Sequence, residues 1–511
     1  MTMLNALKND ANITYTENGA LTHKSTMSAL MDMFAMGAAM RNRSEEDVIL
    51  MWRKAFKENP VYALKCLFYI RDVRGGQGER RFFRVILRDA AKHPDSAEAI
   101  KRNMEFVSEF GRWDDLYAFE GTPLETDAFN IIKHQLALDV KCKTPSLLAK
   151  WLKSENASSK ETTRLGNKTR KFLGMTHKEY RKVLAALRTR INVLEKLMSE
   201  NRWEEIEFDK IPSKAGLIYK NAFARRDIIK EKYERFAKDE NTKVNAGTLY
   251  PYEVVEKAID LMEPQSAWAR KHKPALDDTD RLMINKYWNN LTDYFNGATF
   301  NALAMVDTSG SMMGTSMNVA VSLGLYCAEK ANGPFANHYI SFSSRPQLIA
   351  CEGVDFCDKV DRIVATNLCE NTNIEAAFNM LLTTARRHHM TQEDLPQNII
   401  VISDMEFDRA RGHYDYGWGV MSDDARRNSI QKANTLMEGI AKTWAAEGYQ
   451  VPHLIFWNVD ARQDNIPMLD GGRVSFVSGF SPSIFQSIMT GKTGYDLMME
   501  VLNKERYACI R

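Results

Sequence analysis

Apolar residues recur every three or four positions through most of the first three hundred residues, the spacing that gives a helix one buried face. The stretches "STMSALMDMFAMGAAMR" (25–41), "VYALKCLFYIRDV" (61–73), "ERRFFRVILRDAAKH" (79–93) and "AEAIKRNMEFVSEF" (97–110) show it, and 177–200 and 215–237 continue it. Breakers such as "RGGQG" and "KHPDS" stand between them, which predicts antiparallel helix pairs on short loops. No clean fixed-period repeat is present. The economical architecture is therefore a set of degenerate, HEAT-like helical repeats over 25–295, after an N-terminal extension of 1–24.

Near residue 296 the texture changes. Short β-branched and aromatic runs appear in "TFNALAMVD", "NHYISFS", "QNIIVISD", "VPHLIFWNVD" and "RVSFVSGF", with helical stretches between most of them, at 315–332, 373–389 and 424–447. Strands alternating with helices predict a mostly parallel, doubly wound sheet in a C-terminal α/β domain over 296–511. "RPQLIACEG" follows "YISFSS" too closely for a crossover helix, so one antiparallel edge strand is expected.

Composition adds limits more than direction. The chain has 511 residues, 44% hydrophobic and 26% charged, with a net charge of +3, so several ordinary globular cores are available and no partner is implied by overall charge. Seven scattered cysteines without C-x-x-C spacing suit a reducing compartment and argue against a disulfide framework or a structural zinc. The N-terminus carries Asn, Asp and Glu where a signal peptide would be apolar, and no run of about 18 apolar residues occurs. A cytoplasmic protein with no membrane partner is expected.

The charge is unevenly placed. Residues 141–190 hold 14 Lys and Arg against three acids, whereas 191–240 hold 11 of each sign. Lys168, Arg170, Lys171, Arg181, Lys182, Arg188 and Arg190 lie among Ser, Thr and Asn, a mixture that suits phosphate contacts without base reading. A solvated helix face is the bland alternative. A second group, Arg71, Arg74, Arg80 and Arg81, surrounds the glycines of "YIRDVRGGQGERRFF" (69–83), which lack the G-K-[ST] of a phosphate-binding loop and read as a joint between helices. "TGKTGYD" (490–496) has G-K-T, but Gln486 stands where that loop needs its first glycine. The adjacent His388 and His389 point in different directions and read as capping or surface residues.

"ALAMVDTSGSMMG" (302–314) is the most informative segment. It offers no nucleophile elbow and no neighbouring histidine base. Asp307, Ser309 and Ser311 alternate on a loop after a buried strand, a spacing that turns three oxygens toward one point for a hard cation. Thr372, before a helix, and Asp404, at another strand end, supply further oxygens. Helix capping would account for any one of these hydroxyls.

These five positions, in this order on a βα alternation, resemble the metal-ion-dependent adhesion site of von Willebrand factor A domains. The resemblance implies Mg²⁺, or another divalent cation, held directly by Ser309 and Ser311, directly or through water by Thr372, and through waters by Asp307 and Asp404. One coordination position would stay open for a partner's acidic oxygen. Met405 departs from the glycine that many of these domains carry after the aspartate. "RDVRGGQGERR" (71–81), "FGRWDDLY" (110–117) and "YPYEVVEKAI" (250–259), with the domain order, resemble the TROVE module of Ro ribonucleoproteins, especially its viral and plant-type branch. That likeness implies a helical ring closed by the metal-binding domain, taking small structured RNA outside and single-stranded RNA ends inside. The leading expectation is a non-enzymatic RNA-binding protein. The alternative is an assembly scaffold that captures an acidic residue of a partner protein through the metal. The loop 405–419 is expected to rim the site, its aromatics Tyr414, Tyr416 and Trp418 either setting ligand choice there or packing a lid.

Overall fold

A computed structural model of the chain describes residues 2–191, 193–261, 278–342, 345–366, 372–409, 435–469 and 473–511. Eight strands are present among them: β1 Ile13–Tyr15, β2 Leu21–His23, β3 Ala302–Asp307, β4 His338–Phe342, β5 Gln347–Ala350, β6 Asn398–Ser403, β7 His453–Asn458 and β8 Val474–Ser478. The first two form a small antiparallel hairpin and the other six one mixed sheet, in the order β5-β4-β3-β6-β7-β8. All neighbours in that sheet are parallel except β4 and β5. The antiparallel edge strand expected from "RPQLIACEG" is therefore present, and its direction follows from a connection too short to cross over.

Helices on both faces explain the nearly unbroken apolar strands. Every residue of β3 and of β8 is buried, as a parallel strand covered on two sides requires. The helix Thr315–Lys330 lies so close to β3 that a Cβ on Gly324 would come within 2.4 Å of the Val306 side chain. From β3 the chain runs outward through β4 and β5, then returns to place β6 on the other side of β3. The carboxyl ends of β3 and β6 thus flank the topological switch point, where such sheets leave a crevice.

The chain forms two compact units, and their division departs from the change of texture at 296. One unit holds residues 1–66 and 249–506; the other holds 67–248 and 507–511. The expected N-terminal extension and several helices of the expected repeat domain therefore belong with the sheet. Their apolar faces have a large surface to cover there: the helix Ala29–Met36 packs on β8, and Pro251–Leu261 packs on Thr315–Lys330. Helices predicted at 315–332 and 373–389 are found at Thr315–Lys330 and Ile374–Arg387; of the one predicted at 424–447, Leu436–Ala446 is seen and 424–434 lie outside the described residues.

The second unit is helical, with Arg80–Ala90, Glu125–Lys141, Lys160–Phe172, His177–Arg190, Ser213–Arg225 and Asp227–Lys238 as its longer members. His177–Arg190 starts at Thr176, whose hydroxyl accepts from the Glu179 N–H while Glu179 accepts from the Thr176 N–H, a reciprocal cap. The "RGGQG" joint is fastened to the helix before it. Gln77 N–H donates to the Tyr69 carbonyl at 3.1 Å, and a Cβ on Gly76 would lie 1.9 Å from that oxygen, so only glycine fits. Phe68, Phe83 and Phe110 meet edge to face beside Tyr507.

Candidate functional site

Asp307 ends β3 and Asp404 follows β6, so the pairing of two adjacent strands brings together carboxylates nearly one hundred residues apart. Both are buried. Ser403 joins them: its hydroxyl lies 2.5 Å from Asp307 Oδ2 and 3.5 Å from Asp404 Oδ1. Asp307 Oδ1 also accepts from the Ser309 N–H at 2.9 Å, and Ser309 Oγ lies 3.0 Å from Ser311 Oγ. The alternating D-x-S-x-S spacing therefore places carboxylate and hydroxyls around one turn, completed by a 3-10 turn at Gly310–Met312. Thr372 is buried, and its carbonyl accepts from the Asp408 N–H at 2.9 Å, which ties its loop to the segment after Asp404.

Met405 has the backbone conformation for which glycine is suited, with φ of 67° and its side chain buried. The loop keeps its left-handed turn with a methionine in that place. Of the expected rim, 405–409 are described, whereas Tyr414, Tyr416 and Trp418 lie outside the described residues.

Sequence reasoning missed the surroundings of Asp404. Arg462 Nη2 is 3.2 Å from Asp404 Oδ2 and 2.7 Å from Glu17 Oε2. Glu406, fully buried, accepts from the Glu17 N–H at 2.6 Å and from Asn465 Nδ2 at 2.8 Å, while Thr16 Oγ1 donates to the Phe407 carbonyl. The tight hairpin β1–β2 thus packs against the loop after Asp404. Ser403 and Glu406 could have been suspected from "VISDMEFD"; nothing in the sequence points from residue 17 to residue 406. Burial first, and then the Asp404 carboxylate, push the Asp307 carboxyl above its ordinary range. Burial likewise pushes Glu406 up to about 7. Among the described residues Arg462 pairs with Asp404 and lies near Glu406, so the buried carboxyls of Asp307, Asp404 and Glu406 outnumber it, an imbalance that a cation would relieve. Among the described residues no three His, Cys, Asp or Glu side chains converge on one point, so an ion here would rely on the hydroxyls as well, the hard-oxygen set that Mg²⁺ accepts.

The cationic residues of the helical unit divide into two kinds. Arg71 is corrected from a candidate RNA contact to a core residue: it is 2% exposed and pairs at 2.8 Å with Asp115, which also binds Arg84. Arg170 is likewise turned inward, onto Glu155 and the Met175 carbonyl. Lys168 is held by Glu120 and Glu125. Arg188 donates to the Ala149 and Leu152 carbonyls and to Ser154 Oγ, pinning the segment before it, and Arg190 donates to the Asp139 and Val140 carbonyls. In these five the long side chain found a carboxylate or an unpaired carbonyl within its own unit.

By contrast, Lys171, Lys178, Arg181 and Lys182 are exposed and make no ion pair among the described residues. Arg74 is exposed while donating to the Glu109 carbonyl, and Arg81 donates its N–H to Glu79 at a helix start. Partial burial first, and then the neighbouring Arg112 and Arg84, lower the pKa of Arg80, whose side chain still reaches solvent.

Two families of unknown function match the chain. DUF2828 matches residues 16–119 and 136–298, more than half of its length, and DUF7788 matches 301–507. The chain belongs to the DUF2828 family. A relative outside this chain, the uncharacterized protein L728 of Acanthamoeba polyphaga mimivirus, is 26% identical over 529 residues, covering 94% of this chain and 85% of that one. Among solved structures, the Ro (RSR) protein of Deinococcus radiodurans is similar at 13% identity with a TM-score of 0.46, covering 94% of this chain and all of the other. Among the described residues, no helix of this DUF2828 member is long and apolar enough to cross a membrane.

Proposed function

We propose that this chain is a non-enzymatic RNA-binding protein whose helical unit contacts the phosphate backbone. The observation that carries the reading is the set of exposed cations without ion pairs among the described residues on two consecutive helices: Lys171 on Lys160–Phe172, and Lys178, Arg181 and Lys182 on His177–Arg190. An intramolecular carboxylate would have to be displaced from Lys168, whereas among the described residues no carboxylate holds any of these four. Contacts of this kind attach the protein to the backbone without selecting a sequence. Purification without nuclease, followed by recovery of co-purifying nucleic acid, tests it. Protein that arrives free of RNA and shows no salt-dependent RNA binding overturns it.

The strand-end cluster is proposed to hold Mg²⁺ or another divalent cation through Ser309, Ser311 and Thr372, with Asp307 and Asp404 acting through waters. Support comes from the hydrogen bonds that join Asp307, Ser309, Ser311, Ser403 and Asp404 at the switch point, and from the buried carboxyls there outnumbering Arg462 among the described residues. A bound ion would supply an electrophilic position for an acidic oxygen of a partner, which is capture and not hydrolysis. A second reading, an assembly scaffold, rests on this cluster alone. Asp307→Ala and Asp404→Ala separate the two: loss of partner capture in these variants, with RNA binding absent from the wild type too, favours the scaffold.

A further inference from the structure

A cavity of about 710 Å³ opens on the helical unit between the ends of three segments. Lys150 and Trp151 come from the short helix Leu148–Trp151, Lys196 and Ser199 from Leu194–Ser199, and Lys214 and Tyr219 from Ser213–Arg225. Arg112 and Arg188 also line it, so the lining carries five cations and one carboxylate, Glu195; of the cations, Arg112 is paired with Asp114 and Lys196 with Glu200. The walls are fixed from behind. Arg188 holds the carbonyls on either side of Lys150 and Trp151, and the Arg112 guanidinium, clamped by both oxygens of Asp114, lies 3.9 Å over the Trp151 ring. Lys150 Nζ is 5.8 Å from the same ring and has no carboxylate partner among the described residues. Ile218 beside Tyr219 leaves 59% of its surface exposed in the cavity wall, an apolar shelf among charges.

Cations alone would suit any anion, and aromatic rings alone any flat apolar group. Their combination, at a volume typical of small-ligand sites, suits a flat heteroaromatic base joined to a phosphate. The hydroxyl of Ser199 and the Lys150 and Lys214 ammonium groups are the phosphate-binding kind, and Trp151 and Tyr219 the stacking kind. None of the lining residues is among the exposed cations Lys171, Lys178, Arg181 and Lys182.

We infer that this cavity binds one nucleotide, its base against Tyr219 and its phosphate toward Lys150 and Lys214. The source of the nucleotide, free or at the phosphorylated end of a single strand, is what the two arms of the test distinguish. The site can stand or fall apart from the backbone-binding reading, because it uses different residues.

Fluorescence anisotropy of the full chain with a fluorescent N-methylanthraniloyl ATP, and separately with a 5′-phosphorylated oligoadenylate, tests it. Saturable binding of either probe is expected, weakened about ten-fold by Tyr219→Ala and by Lys150→Glu and restored in Tyr219→Phe, since stacking needs the ring and not the hydroxyl. ATP binding identifies a free nucleotide; oligonucleotide binding alone identifies a strand end. Tyr219→Ala and Tyr219→Phe must melt at similar temperatures, and Lys150→Glu serves if Tyr219→Ala does not fold. No saturable binding of either probe, equal binding by all variants, or equal competition by polyglutamate overturns the inference. Lys171→Gln/Arg181→Gln/Lys182→Gln leaves ATP binding unchanged; loss of backbone binding in that variant alone concerns the earlier reading and not this site.

Discussion

The strand-end cluster and the cationic helices reach their chemistry in opposite ways. In the sheet unit, a few polar groups are buried together by strand pairing: Asp307, Ser403 and Asp404 share hydrogen bonds because β3 and β6 are neighbours. In the helical unit, many charges are close in sequence, yet the fold sorts them. Arg71 and Arg170 turn inward, Lys168 is held by two glutamates, and Lys171, Arg181 and Lys182 stay exposed without ion pairs among the described residues. Spacing along a loop after a buried strand is thus a strong guide to where a side chain ends up. Density of charge along a helix is a weak one, because a long side chain on a 3.6-residue period can meet a carboxylate from any neighbouring segment.

The widest separation between the two kinds of cation is expected at Arg71 and its partner. Asp115→Ala leaves Arg71 buried without a counter-charge, and chemical denaturation should show a loss of about 3–5 kcal/mol. Neutralising the exposed Lys182 should change stability by no more than about 0.5 kcal/mol. Equal effects would erase the distinction between core and surface cations.

The strand-end cluster comes next. Ser403→Ala removes the hydroxyl between Asp307 and Asp404, and a loss of about 1–3 kcal/mol is expected from the unsatisfied carboxylate. Thermal melting with and without Mg²⁺ should show a cation-dependent rise in the wild type that Asp404→Ala abolishes. A rise that persists in Asp404→Ala would place the ion elsewhere.

Acid should act on the helical unit through Asp114. Burial opposes its ionisation, but hydrogen bonds and charge from Arg112, Arg84 and Lys153 overcome this and hold the carboxyl at about 2. The stability contributed is present above the ordinary Asp value near 4 and is lost as pH falls through about 2. Asp114→Asn should therefore be less stable than the wild type at pH 6, with a gap that narrows as the pH falls to about 2. A gap independent of pH would contradict this account of the arginine cluster.

The smallest effect is at Met405. Met405→Gly and Met405→Ala both lose the buried side chain, but glycine accepts the positive φ freely, so the glycine variant should be the more stable by about 1 kcal/mol in urea titration.

Much of the sheet was legible in the sequence because continuous apolar runs, alternating helices and one short connection leave few topologies. The placement of Asp307 and Asp404 at strand ends and of Thr372 just before a helix was legible for the same reason. The unit boundaries were not, since helices 29–36 and 251–261 carry the same periodicity whether they cover a helix or a sheet. Arg462, Glu17 and the hairpin beside Asp404 were hidden because their contacts span hundreds of residues with no shared motif. The fate of Arg71 was hidden because the Asp115 that buries it lies forty-four residues away.

The most direct test of the central claim is the salt dependence of RNA binding by the wild type and by Lys171→Gln/Arg181→Gln/Lys182→Gln. The wild type should bind a single-stranded RNA with a logarithmic affinity that falls linearly with the logarithm of salt concentration. The triple variant should keep its fold and show a slope smaller by about two to three. Absence of binding at low salt, or an unchanged slope in the variant, would contradict the claim.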